Sequence, residues 1–144
     1  MKTRFNIQKL EPKAYEAMFG LESYLATSGL DKTILELIKI RASQINGCAF
    51  CINMHTKDAL KNGETNQRIF LLNAWKETNL YNEQEQVALA MTEEITLVSH
   101  KGLTDETFEL AKSVFSENDI AKIIFAISTI NAWNRIAISS RTSI

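Results

Sequence analysis

Apolar residues recur along this chain at intervals of three and four, with no alternating Val/Thr/Tyr runs bounded by hairpin turns, so the pattern predicts helices joined by short connections. The segment EPKAYEAMFGLESYLATSG opens with Pro12 in its first turn, places Tyr15, Met18, Phe19, Leu21 and Leu25 at helical spacing, and stops at Gly29. A second helix, roughly 31 to 45, starts on Asp31 as N-cap, presents Ile34, Leu37, Ile38 and Ile45, and ends at Asn46 and Gly47. A third opens after Gly47 and closes at Asn62 and Gly63; a fourth covers about 65 to 78. Asn82 with Glu85, Thr104, and Ser116 with Asp119 mark three more N-termini. The last helix, about 117 to 138, carries Ile120, Ile123, Ile124, Ile127 and Ile130 on one stripe, apolar enough to lie centrally or at a subunit contact. The expectation is an all-α fold of about seven helices.

With 144 residues and no linker, repeat or low-complexity tract, the chain reads as a single domain, 1–144, with one core and one site. Hydrophobic residues make up 45% and the formal net charge is -1, so no field gathers phosphate or anionic lipid, and nucleic acid and membrane are excluded as expected partners. The amino terminus has a basic start but no apolar run of signal-peptide length, and no later segment approaches a membrane span. A cytoplasmic location follows as the expectation. Thiols there are kept mostly reduced, which makes a close cysteine pair a metal or redox site rather than a structural staple.

That pair is in the stretch GCAFCINMH, and Cys48 and Cys51 are the only cysteines in the chain. If the third helix begins just after Gly47, Cys48 occupies its first turn, where free N–H groups and the positive dipole end favour a thiolate. Residues 48, 51 and 55 are spaced by three and four, so both sulfurs and the His55 imidazole share one face, His55 aimed at Cys51 and Cys51 at Cys48. A dithiol catalyst needs these parts: a nucleophile, a resolving partner within disulfide reach, and a group that takes and returns a proton near neutral pH. Such chemistry runs without a metal or organic cofactor. Attack on a peroxide gives a sulfenic acid, the second thiol condenses with it, and an external dithiol reduces the disulfide. Zinc is the rival reading, but beyond Cys48, Cys51 and His55 the only further histidine is His100, with no second paired motif beside it.

Upstream, in ILELIKIRASQINGCAFCINMH, Glu36 stands twelve positions before Cys48 on a mostly apolar helix. This glutamate, the cysteine pair and His55, with the flanking MHTKDALKNGE and the closing INAWNRIAISSR, resemble the signature of the alkylhydroperoxidase AhpD-like proteins of the carboxymuconolactone decarboxylase family. The resemblance covers most of the chain. It implies the family's all-helical fold, assembly as a trimer or hexamer, and a peroxidase or disulfide-exchange activity with a peroxide or disulfide as substrate and an external dithiol as reductant. It implies Cys51 as the attacking cysteine, Cys48 as the resolving one, and Glu36 and His55 as the proton relay. The dipole at the helix start would instead favour Cys48 as nucleophile; a base beside Cys51 can outweigh a dipole effect of about a kilocalorie per mole, so the resemblance is followed.

The resemblance departs at one position, since the alkylhydroperoxidase has a second histidine next to its second cysteine where this chain has Phe50. Phe50 makes the rim of the pair more apolar, which suits an organic hydroperoxide or a hydrophobic reductant. A decarboxylase-type lyase, the activity the family is named for, would leave the dithiol unexplained, and a non-catalytic zinc-binding or thiol-sensing module is the other alternative. Elsewhere Trp75 and Trp133 read as core or interface anchors, His100 as exposed, and Met18, Met54 and Met91 as core gap fillers. Asn131, Asn134 and Arg135 could bond across a subunit contact, bond toward the site, or form a polar helix edge.

Overall fold

The computed structural model describes residues 2–144 and, among them, contains helices and no strands. The order is α1 (Ile7–Leu10), α2 (Pro12–Thr27), α3 (Lys32–Asn46), α4 (Ala49–Lys61), α5 (Asn66–Leu71), a 3-10 helix (Leu72–Glu77), α6 (Glu83–Thr96), α7 (Asp105–Val114) and α8 (Glu117–Ser140). Eight α-helices therefore stand where seven were expected. The extra one, α1, is four residues long, capped by the Asn6 side chain, and buries nothing, so no periodicity announces it. It ends because Pro12 at the start of α2 disfavours the helical conformation at Glu11, whose φ of -129° and ψ of 65° lie outside it.

The predicted helix over 65–78 is real in part. It starts on the Thr65 cap, then tightens at Leu72 into a 3-10 turn with a break at Ala74. In a 3-10 helix, residues three apart eclipse one another, and this sends both Leu72 and Trp75 into the core. Trp75 Nε1 then reaches Glu93 on α6 at 2.9 Å. Arg41 and Lys76 also donate to that carboxylate; burial alone would raise the Glu93 pKa, but the hydrogen bonds from Lys76, Trp75 and Arg41 prevail and hold it below its usual value.

α3 is the hub. It packs against α4, α6 and α8, and Ile34, Leu35, Leu37, Ile38, Ile40 and Ala42 are all buried. One apolar cluster lies between α3, α6, α7 and α8, including Ile38, Met91, Ile123 and Ile127; a second, including Leu37, Ile40, Leu72 and Leu89, lies between α3, α6 and the 3-10 turn. Each such side chain contributes about 1.5–3 kcal/mol by burial. α8 is central as its isoleucine stripe foretold: Ile120, Ile123, Ile127 and Ile130 are buried and Ile124 half-buried. α2 contributes only Leu25 to the buried residues of these clusters. Phe19 and Leu21 remain exposed, so it lies on the periphery against α1 and α8. Among the described residues no helix is long and apolar enough to cross a membrane.

Candidate active site around the cysteine pair

The turn between α3 and α4 is made by two residues in non-helical conformations. Gly47 takes the left-handed conformation (φ 70°) as the C-cap of α3, and Cys48 is extended. Cys48 is thus the N-cap of α4 rather than a member of its first turn; its sulfur accepts from the Cys51 N–H at 3.4 Å, and its own N–H donates to Ser43 at 2.9 Å. The spacing of three along the helix start leaves the two Cα atoms 5.4 Å apart, and the sulfurs are joined as a disulfide. Both are almost sealed, with 1% exposure at Cys48 and 2% at Cys51.

His55, one turn beyond Cys51, is buried, and its Nδ1 lies 3.0 Å from Glu36 Oε2 on α3. A carboxylate accepting from Nδ1–H fixes the ring and leaves Nε2 as the proton acceptor. Two contacts set the register of this helical hairpin, Ser43 with Cys48 and Glu36 with His55. Seven residues back along α3 (43 to 36) match seven forward along α4 (48 to 55), so the two helices run antiparallel without slippage.

Cys51, His55 and Glu36 share a cavity of about 390 Å³. Its walls also include Phe50 and Met54 from α4, Tyr15 and Phe19 from α2, and Ile130 and Trp133 from α8. Cys48 does not line it; its sulfur faces the helix end, clustered with Ala42, Cys51 and Ile130. Met54, expected in the core, is 40% exposed and stands on the cavity rim. Trp133 packs against the small core cluster of Ala42, Cys48, Cys51 and Ile130 and also forms a cavity wall, edge-on against Tyr15 with ring centres 4.9 Å apart. The peripheral α2 is thereby the cover of the cavity. Sequence reasoning missed two of its polar members, Lys39 and Glu22, joined by an ion pair of 2.8 Å.

Behind the cysteines, the polar residues of α8 turn inward. Asn134, fully buried, donates to Ser43 at 3.0 Å and accepts from Asn46 at 2.9 Å; Asn46 also donates to Asn131, which bonds Thr96 and the Ile127 carbonyl. Arg135 is exposed and bonds back to Asn131. Of the alternatives for these three residues, the buried asparagines serve neither an edge nor a partner: they bolt the end of α3, and with it the Gly47–Cys48 turn, onto α8. Each unsatisfied buried partner would cost about 1–3 kcal/mol, which makes the turn rigid. Trp75 is a core anchor and His100 is exposed, as their contexts suggested. Among the described residues, no group of three or more His, Cys, Asp or Glu is placed to hold a metal.

Fold and site together define an all-helical domain carrying a sulfur pair at a helix start, backed by a buried imidazole and carboxylate. The model of the carboxymuconolactone decarboxylase family matches residues 12–94. The uncharacterized protein YdfG of Bacillus subtilis is 42% identical over 139 residues, covering 96% of this chain and 95% of that protein. The crystal structure of a protein of unknown function from Agrobacterium tumefaciens, named a putative antioxidant defence protein AhpD, matches with a TM-score of 0.96 at 43% identity, over 99% of this chain and 97% of that one. An uncharacterized peroxidase-related protein from Ralstonia eutropha matches with a TM-score of 0.82 at 18% identity, over 95% and 73%, and shares the fold. The chain belongs to the carboxymuconolactone decarboxylase family, in its AhpD-like branch.

Proposed function

We propose that this protein is a cytoplasmic thiol-based oxidoreductase of the peroxidase type, reducing a peroxide, or exchanging a disulfide, through Cys51 and Cys48. The observation that carries the reading is that Cys51 alone of the pair lines the cavity, beside His55 and Glu36, while Cys48 lies behind it in bonding contact. In this mechanism His55, held by Glu36, takes the Cys51 proton; the thiolate attacks an oxygen of the peroxide; and the Cys48 thiol condenses with the sulfenic acid to give the disulfide and water. An external dithiol returns the pair to the reduced state.

The first test is intact mass of the reduced protein after one equivalent of an organic hydroperoxide. Loss of about two mass units, one disulfide, is the expected result. No change in mass over a range of hydroperoxides and small disulfides would remove the oxidoreductase reading. Assembly of several copies is part of the proposal, supported by large apolar side chains left open to solvent, among them Phe70, Leu110 and Phe125. Light scattering on the purified protein should give the mass of three or six chains, and a monomer at every concentration would refute it.

A further inference from the structure

Lys39 stands on the wall of the cysteine cavity with no part in the chemistry so far. Its side chain is only 7% exposed, which a lysine rarely is unless paired. Its partner among the described residues is Glu22, at 2.8 Å, and the carboxylate end of that pair is the wetter one, 23% exposed. One of the three ammonium donors is used in this way, and two remain for whatever occupies the cavity. Holding α2 in place does not require a charge here, because an apolar pair of similar volume often serves as well or better than a buried ion pair.

The hairpin register says which part of the cavity Lys39 serves. Cys51, three residues forward from Cys48, is level with Ile40, three back from Ser43. Lys39 is therefore about 1.5 Å along the axis from the level of Cys51. It also lies three residues from Glu36, on the same side of α3, and both residues border the cavity. Among the described residues lining that cavity it is the only lysine or arginine.

We propose that Lys39 is a further catalytic residue, donating a hydrogen bond from Nζ to the oxygen that departs when Cys51 attacks an organic hydroperoxide; this rests on the peroxidase reading above. The Cys51 thiolate attacks the terminal oxygen of R–O–O–H. An S–O bond forms, the O–O bond breaks, and its electron pair leaves on RO⁻. The proton that Cys51 gave to His55 ends on this oxygen and yields the alcohol, while Lys39 keeps its own proton and supplies a fixed positive charge where negative charge develops. Glu22 holds the ammonium in place from the solvent side.

The dependence of oxidation rate on the leaving group tests this directly. Reduced parent and Lys39→Met are each mixed with tert-butyl hydroperoxide, which must expel a strongly basic alkoxide, and with peracetic acid, which expels the weakly basic acetate. The expected result is a loss of about a hundredfold in Lys39→Met with the first oxidant and of less than about threefold with the second, with partial recovery in Lys39→Arg. Equal losses with both oxidants would reduce Lys39 to a structural role and overturn the inference. Should Lys39→Met fail to fold, Lys39→Gln combined with Glu22→Gln removes both charges and is read in the same way. A parent that neither oxidant converts to the disulfide would remove the peroxidase reading itself, and the inference with it.

Discussion

Cys51→Ser should leave the protein inert to hydroperoxide, with Cys48 still a free thiol after an excess of oxidant, a fall of at least about three orders of magnitude in the rate of oxidation. Cys48→Ser should instead react once, at close to the parent's rate, and stop as a sulfenic acid on Cys51 that a dimedone-type reagent traps. The asymmetry is expected from access and from the base beside Cys51, against the pull of the helix end. Cys48 is the N-cap of α4, where the helix end favours a thiolate, but its sulfur accepts the Cys51 N–H and faces away from the cavity. Cys51 is the sulfur that a molecule in the cavity meets, one turn from His55. The pair of variants is clean structurally, since serine is itself a favoured N-cap and can accept from the same N–H. A sulfenic acid found on Cys48 in the Cys51→Ser protein would reverse the polarity and return the attack to the helix end.

The caps at Asp31, Asn82, Thr104 and Ser116 all accept from the backbone three residues on, and Asn82 with Glu85 forms the full capping box, because each is a local transaction between neighbours in sequence. The motif of Cys48, Cys51 and His55 is local in the same sense, lying within three turns of one helix. Glu36 was legible through its resemblance to a family pattern, and the 3.0 Å contact with His55 gives it a physical reason.

What stayed hidden depends on pairings between distant segments. Asn131 and Asn134, for which the sequence left three destinations open, form an interior network because Asn46, 85 and 88 residues away, comes to meet them. Lys39 is one charge in an apolar run, and nothing in its neighbours names Glu22 on α2 as its partner. Met54 has the composition of a core residue but sits where α2 and α8 leave a cavity open. The destination of the α2 face is hidden for the same reason: Tyr15 and Phe19 cover that cavity, and of this face Leu25 joins the main core. The aromatic stripe was visible in the sequence, whereas its destination was set by Trp133 on the far end of the chain.

Glu36→Gln should slow oxidation of the reduced protein by up to about thirtyfold at neutral pH, because a thiol that ionises at about 8.5 is only about 3% thiolate there. The glutamine oxygen can still accept from His55 Nδ1–H, so the ring should stay in place and the fold should hold; what is lost is the negative charge beside the imidazolium that forms when His55 takes the Cys51 proton. A thiolate and imidazolium pair that is less well stabilised forms only at higher pH. The rate should therefore still rise with pH in the variant, with its midpoint displaced upward toward the ionisation of an unassisted thiol, about 8.5, and with most of the parent's rate recovered above it. This displacement separates a relay from a scaffold. A glutamate that merely braced α3 against α4 would, when replaced, lower the rate by one factor at every pH and lower the unfolding midpoint with it. Stopped-flow oxidation from pH 6 to 10, run beside a denaturant titration, reads both quantities on one preparation, and an unshifted profile would take Glu36 out of the proton path while leaving Cys51 in place as nucleophile.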